Sequence, residues 1–234
     1  MKKIFILISL AISSLLFEGC GESSINGLQS TIIGNQTWMT SNLNADKFRN
    51  GDAIPEVKTN EDWVKACENK QPAWCYYNND SQLGETYGKL YNYYAIIDNR
   101  GLAPEGWHVP SVSEWNALKQ HLGKECGIAL KSEDEWSYSG DDIRGETMFE
   151  KWKGNNESGF NGLPGGIRFI GPIAPNGFKE NWDFSGVNSD GRWWSTETDS
   201  KNRVICFELD NFHPRLDEGY LPITSGFSVR CVKD

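Results

Sequence analysis

The sequence predicts an α+β domain, rich in loops, with short antiparallel sheets and one or two main helices. Three observations carry this. The apolar, β-type segments are short and punctuated by Gly, Asn and Pro. Only one segment combines a strong helix-start signal with apolar residues at helical spacing. Ten Trp alongside 24 Gly suit a loop-rich fold pinned by large aromatic anchors.

Taken in order, Thr31 to Met39 reads as a hairpin turning at Gly34-Asn35 or Asn35-Gln36. Asn60 to Cys67 reads as a short helix capped by Thr59 or Asn60, with Trp63 inward. Tyr87 to Ala95 is aromatic throughout, and periodicity does not choose between strand and helix. The stretch Pro104-Glu105-Gly106-Trp107-His108-Val109-Pro110 begins as a rigid turn. Ser111 or Ser113 then caps a helix in which Trp115, Leu118 and Leu122 share one face. From Asn155 to Gly191 the composition predicts long structured loops, whose ordering entropy must be offset by packing or function. Strands return at Trp193–Thr196, Val204–Leu209 and Phe227–Val232.

The amino terminus predicts export. Lys2 and Lys3 precede an apolar run from Ile4 to Phe17, too short for a comfortable membrane span. Gly19-Cys20 then has the form of a lipoprotein cleavage site. The expected organisation is a signal peptide at 1–19, a lipidated tether at 20–30 and one domain at 31–234. Cys20 is the lipidation candidate, and the expected location is the bacterial envelope, at the outer membrane or cell surface. Cleavage would remove two Lys and one Glu, moving the net charge from −9 to −10. Such a balance disfavours nucleic acid as a partner.

Five cysteines remain after Cys20, an odd number. Cys67 and Cys75 flank a Pro-containing loop and are the easiest pair. Cys206 and Cys231 sit in strand-like segments and form a second candidate pair, with Cys126–Cys231 as competitor. No Cys-x-x-Cys spacing supports zinc.

Several segments together resemble the Fibrobacter succinogenes major paralogous domain family. They are Ile33-Gly34-Asn35-Gln36-Thr37-Trp38-Met39 with Asn42-Leu43-Asn44, Tyr87-Gly88-Lys89-Leu90-Tyr91-Asn92, and Pro104 to Trp115. Gly159 to Arg168, Trp194-Ser195-Thr196-Glu197 and Gly226 to Asp234 follow. The motifs keep the family's order over residues 31 to 234. The resemblance implies a C-type-lectin-like fold and export, often on a lipoprotein, and says little about activity.

Three chemistries follow from the residues. Trp182, Asp183, Asn188, Asp190 and Trp193 form a candidate ligand-binding set, since aromatic faces stack on sugar rings while carboxylates and amides bond hydroxyls. Internal stapling of the loops explains the same aromatics. Calcium is a candidate cofactor on Asp183, Asn188 and Asp190, although their spacing is not that of an EF-hand and turn formation accounts for the same residues. Catalysis ranks third: His108 is the best acid or base, a triad with Ser111 does not follow from proximity, and Glu133 and Glu135 read as a solvated face. The expected function is therefore a non-catalytic surface binding or adhesion module, with a polysaccharide or surface protein as partner. The alternative is a structural envelope protein without a small ligand, and an enzyme related to formylglycine-generating enzymes comes last.

Overall fold

A computed structural model describes residues 23–25, 28–137, 152–170 and 183–234. The chain is a mixed helix-and-sheet protein, dominated by short, mostly antiparallel strands. The first sheet begins with β1 (Ser23–Ile25), β2 (Leu28–Ile33) and β3 (Gln36–Met39). The β2–β3 turn falls at Gly34-Asn35, as the sequence predicts, with Gly34 at φ 63°. Residues 23–25 pair with 28–30, so this part of the expected tether is a hairpin arm.

Helix α1 (Asn60–Glu68) is capped by the Thr59 hydroxyl, and Trp63 is fully buried. Strand β4 (Trp74–Cys75), helix α2 (Ser81–Tyr87), strand β5 (Leu90–Asn92) and the single turn α3 (Tyr93–Ile96) follow. The aromatic run at 87–95 is thus strand and helix in succession. Asn92 makes the switch, its side chain accepting from the Ala95 N–H as an N-cap. Strand β6 (Trp107–His108) leads to α4 (Val112–Leu122), whose start is a capping box between Ser111 and Glu114. A short α5 (Cys126–Leu130) ends the helical part.

The glycine-rich stretch expected to be loops contains two strands, β7 (Gly165–Arg168) and β8 (Phe184–Val187). Gly166 explains why composition misleads here. It lies at φ 66°, and an added Cβ would meet Tyr77, Ser185 and Val187 at 2.5–2.8 Å. The glycine permits close strand approach. Then come β9 (Asp190–Thr198), β10 (Val204–Asp210), β11 (Asp217–Leu221), β12 (Gly226–Phe227) and β13 (Val232–Lys233). The carboxy-terminal segment splits into two strands belonging to different sheets. One sheet runs β1-β2-β3-β13-β6. The other runs β11-β10-β9-β7-β12-β5-β4, with β8 beside β7.

Successive residues of a strand face opposite sides of a sheet. In β9 both sides are covered. Trp193 packs with Trp38, Trp115, Phe160 and Phe207, while Trp194 packs with Tyr91, Tyr93 and Phe227. Trp115 stacks on Phe207 at 5.1 Å and 16°. Full burial of such a ring contributes roughly 3 kcal/mol.

All five described cysteines are free, buried thiols, so the expected Cys67–Cys75 and Cys206–Cys231 bridges are not formed. Cys67 lies at 3.8 Å from Nδ2 of Asn92. Cys206 points its sulfur at Gly219, and Cys231 is enclosed by the aromatic core of Trp107 and Tyr91. Each thiol thus fills a packing position. Cys20 lies outside the described residues.

Candidate functional site

Strands β9, β10 and β11 carry a polar strip along one face. Cross-strand register places Asp190 opposite Asp210, and Glu208 opposite both Arg192 and Asp217. Direct cross-strand neighbours share a face, so four carboxylates and Arg192 line one strip. Arg192 Nε sits 2.8 Å from Glu208 Oε2, and its Nη2 sits 3.8 Å from Asp190 Oδ1. Burial raises the Glu208 carboxyl above its ordinary value; Arg192 opposes that, and Asp190, Asp210 and Asp217 add to it.

The loop from β10 to β11 extends the strip. His213 Nδ1 lies 2.8 Å from Asp210 Oδ2, and Arg215 Nε donates to both Asp217 oxygens. One ligand atom each from Asp210, His213 and Asp217 lie within 4.8 Å of one another. Below the loop, the Lys131 ammonium is fully buried. It donates to the carbonyls of Trp152, Asp210 and His213 at 2.9–3.0 Å, which uses all three of its protons. The residues before and after Phe212 are thereby fixed, and the Phe212 ring is 56% exposed. On the other side of β11 from Asp217, the Tyr220 ring is 42% exposed, with its hydroxyl on Glu218 and Arg203 over its face.

The residues singled out from the sequence are dispersed. Trp182 lies outside the described residues. Trp193 is fully buried and donates its indole N–H to Asn42 Oδ1 at 2.8 Å, so it is a core staple rather than a ligand platform. Asp183 lies 3.5 Å from Arg168 Nε at the start of β8, whereas Asn188 lies past its end. Five residues of strand separate them by roughly 15 Å. Asp183, Asn188 and Asp190 therefore do not converge on one calcium ion. Asn188 sits in the β8–β9 turn at φ 65°, with its side chain 2.7 Å from the Tyr87 hydroxyl. Tyr87 also meets Glu135 at 2.9 Å. A phenol has one proton, so it donates to one of these groups and accepts from the Asn188 amine once that amide is turned. Only Asp190 joins the strip.

Asp210, His213 and Asp217 are the residues that could hold a divalent cation. Calcium takes six to eight oxygen ligands, and an imidazole nitrogen suits transition metals better. His213 and Asp217 are already engaged, by Asp210 and Arg215 respectively. Sequence reasoning missed this loop because its residues read as ordinary turn formers around Pro214.

A model of the Fibrobacter succinogenes major domain matches residues 32–233. The chain belongs to that family. No curated protein and no solved structure gave a significant match. In this member of the family, the recurrent motifs meet in the core. Arg230 is fully buried and donates to the carbonyls of Met39, Phe160 and Asn161 and to Asn42 Oδ1. Its guanidinium lies over the rings of Phe160 and Trp193 at 4.4 and 6.0 Å. Four of the motifs thus supply one structural node.

The described cysteines, His108 and Ser111 are packed or hydrogen-bonded within the fold. Burial pushes the thiols of Cys75, Cys206 and Cys231 up to about 12 and that of Cys67 to about 11. His108 lies between Asp234 Oδ1 and Glu114 Oε1, 2.7 Å from each. The Ser111 hydroxyl donates to Glu114 Oε2 at 2.7 Å. Among the described residues, Ser111 and His108 are thus joined only through that carboxylate. No described helix is long and apolar enough to cross a membrane.

Proposed function

We propose that this protein is an exported, lipid-anchored, non-catalytic binding module of C-type-lectin-like architecture, which contacts envelope or surface polysaccharide through the β9–β11 face. The observation that carries the reading is the pairing of an exposed ring with carboxylates on one rigid unit. Phe212 offers an aromatic face, and Asp210 and Asp217 offer acceptors for sugar hydroxyls, whereas Glu218 and Tyr220 alternate to the other side of β11. The Lys131 clamp supports the reading, because a preorganised loop loses less entropy on binding. The high thiol pKa values and the doubly held His108 favour binding over catalysis.

A structural envelope role without a small ligand is the second reading. It draws on the burial of Trp38, Trp63, Trp107, Trp115, Trp193 and Trp194, which spends most of the tryptophan content on the core. Probing a glycan array with the folded protein, with and without calcium, separates the two. Binding to a defined class of saccharides supports the module. A blank array alongside self-assembly in solution supports the structural role.

A further inference from the structure

We infer that Asp210, His213 and Asp217 form a binding site for one transition-metal dication of the zinc type. The site depends neither on the lipid anchor nor on the polysaccharide reading. Its residues are spaced Asp-x-x-His-x-x-x-Asp, at the end of β10, in the following loop and at the start of β11. Two carboxylates and an imidazole suit zinc or cobalt, whereas calcium takes oxygen ligands. One ligand atom from each residue lies within 4.8 Å of the other two. Among the described residues, no other three His, Cys, Asp or Glu side chains bring ligand atoms that close together. Donors around a tetrahedral zinc are roughly 3.3 Å apart, so small side-chain rotations complete the set without moving the backbone.

That backbone is fixed from beneath. Lys131 Nζ donates to the carbonyls of Asp210 and His213 at 2.9 and 3.0 Å, and the Gly127 N–H donates to that of Pro214 at 2.8 Å. The Phe212 N–H donates to Asp210 Oδ1 at 2.7 Å, and Oδ2 is turned to His213 Nδ1 at 2.8 Å. Hydrogen bonds that orient a ligating carboxylate in this way tune metal affinity. The hydrogen on Nδ1 stands where the metal would be; with metal bound, the imidazole carries its proton on Nε2. Arg215 is the competitor, with Nε at 2.7–2.8 Å from the two Asp217 oxygens. Its side chain is half exposed, and an ion pair of that kind is weak and yields to a dication. Charge favours the exchange. Asp190, Glu208, Asp210 and Asp217 place four negative charges here, against three positive ones from Arg192, Arg215 and the underlying Lys131. All three ligand side chains are partly exposed, so the ion enters directly from solvent.

Calorimetric titration of zinc into the full, metal-free chain tests the site, with cobalt absorption as a second readout. One zinc should bind per chain, and cobalt should give visible d–d bands. His213→Gln and Asp217→Asn should each weaken zinc binding by about tenfold or more, and the cobalt bands should vanish in His213→Gln. Arg215→Ala should bind zinc a few-fold more tightly, a gain that damage to the fold does not produce. Thermal unfolding of each metal-free variant verifies that it is folded. No zinc binding by the folded wild type overturns the site, as does an affinity unchanged in both ligand variants. Loss of binding in His108→Gln with retention in His213→Gln would place the ion beside Glu114 and Asp234, and overturns it as well. Calcium binding more tightly than zinc overturns the class of metal.

Discussion

Arg230 donates from Nη2 to Asn42 Oδ1 at 2.8 Å, and neither residue reaches solvent to any useful extent. The same oxygen accepts the indole N–H of Trp193, and Asn42 Nδ2 donates to the Tyr87 carbonyl. One amide therefore links the first hairpin, α2, β9 and the carboxy-terminal segment. Carbonyl dipoles and ring faces surround the guanidinium where a carboxylate would be usual. Burial accordingly pulls its pKa down to about 9.

Removing either partner leaves buried groups unpaired. Arg230→Ala is expected to destabilise the fold by about 3–5 kcal/mol. Arg230→Lys keeps the charge but loses the planar fork, and should fall between wild type and Ala. Urea unfolding gives the ordering. A Lys variant as stable as wild type would contradict the account of this node.

The local signals in the sequence were readable because their physics is local. Ser111 and Glu114 are three residues apart, and the capping box needs nothing else. The same holds for Thr59 before α1 and Gly34-Asn35 between β2 and β3. Lys131, Arg168 and Arg230 were not readable as core residues, because a charged side chain is buried only when distant carbonyls converge on it. Trp193 was misplaced for a related reason. The adjacent pair Trp193-Trp194 points to both faces of a sheet, and only the tertiary fold reveals that both faces are covered. The candidate site was legible at Asp190 alone. Its other members come from β10 and β11, which the register brings alongside.

His108 predicts a pH dependence. Two contacts of 2.7 Å to carboxylates require both ring nitrogens to donate, hence the imidazolium. Burial lowers its pKa, but the bonds to Asp234 and Glu114 outweigh that and lift it above 6.5. Glu114 is held below 4.5: burial would raise it, and the bonds from Ser111 and His108 prevail. The His108 contribution is thus complete below 6.5 and lost as pH rises through the higher folded value. That of Glu114 is complete above 4.5 and lost as pH falls through the lower folded value. Thermal unfolding against pH should show a decline on the alkaline side that is absent in His108→Gln. An identical profile in the variant would remove His108 from the explanation.

The cap itself is separable from the imidazole. Ser111→Ala removes the hydroxyl that accepts the Glu114 N–H and should cost about 1 kcal/mol. The loss should be the same at pH 5.5 and 8.5, measured by denaturant midpoint. A loss confined to one pH would tie the serine to the His108 titration instead.

Thiol chemistry distinguishes packed cysteines from bridges. At pH 8 the folded chain should resist alkylation at Cys67, Cys75, Cys126, Cys206 and Cys231, since each is buried with a raised pKa. In denaturant without reductant all five should react. Intact mass after labelling counts them, and three modified thiols instead of five would show that one bridge forms.

Lys131→Met leaves three buried carbonyls without their donor and is expected to cost about 3–5 kcal/mol. Exchange of the amides in 210–213 should accelerate more than exchange in α4, as the loop loses its clamp. Uniform acceleration over the whole chain would mean that Lys131 supports global stability without a special hold on this loop.

The most direct measurement is a calorimetric titration of the best saccharide from the array into wild type, Phe212→Ala and Tyr220→Ala, with thermal unfolding recorded on each sample. The β9–β11 face predicts an affinity loss of about 1–3 kcal/mol in Phe212→Ala, with the melting temperature preserved, and none in Tyr220→Ala, whose ring lies on the other side of β11. Unchanged affinity in folded Phe212→Ala would contradict the assignment of this face as the binding surface.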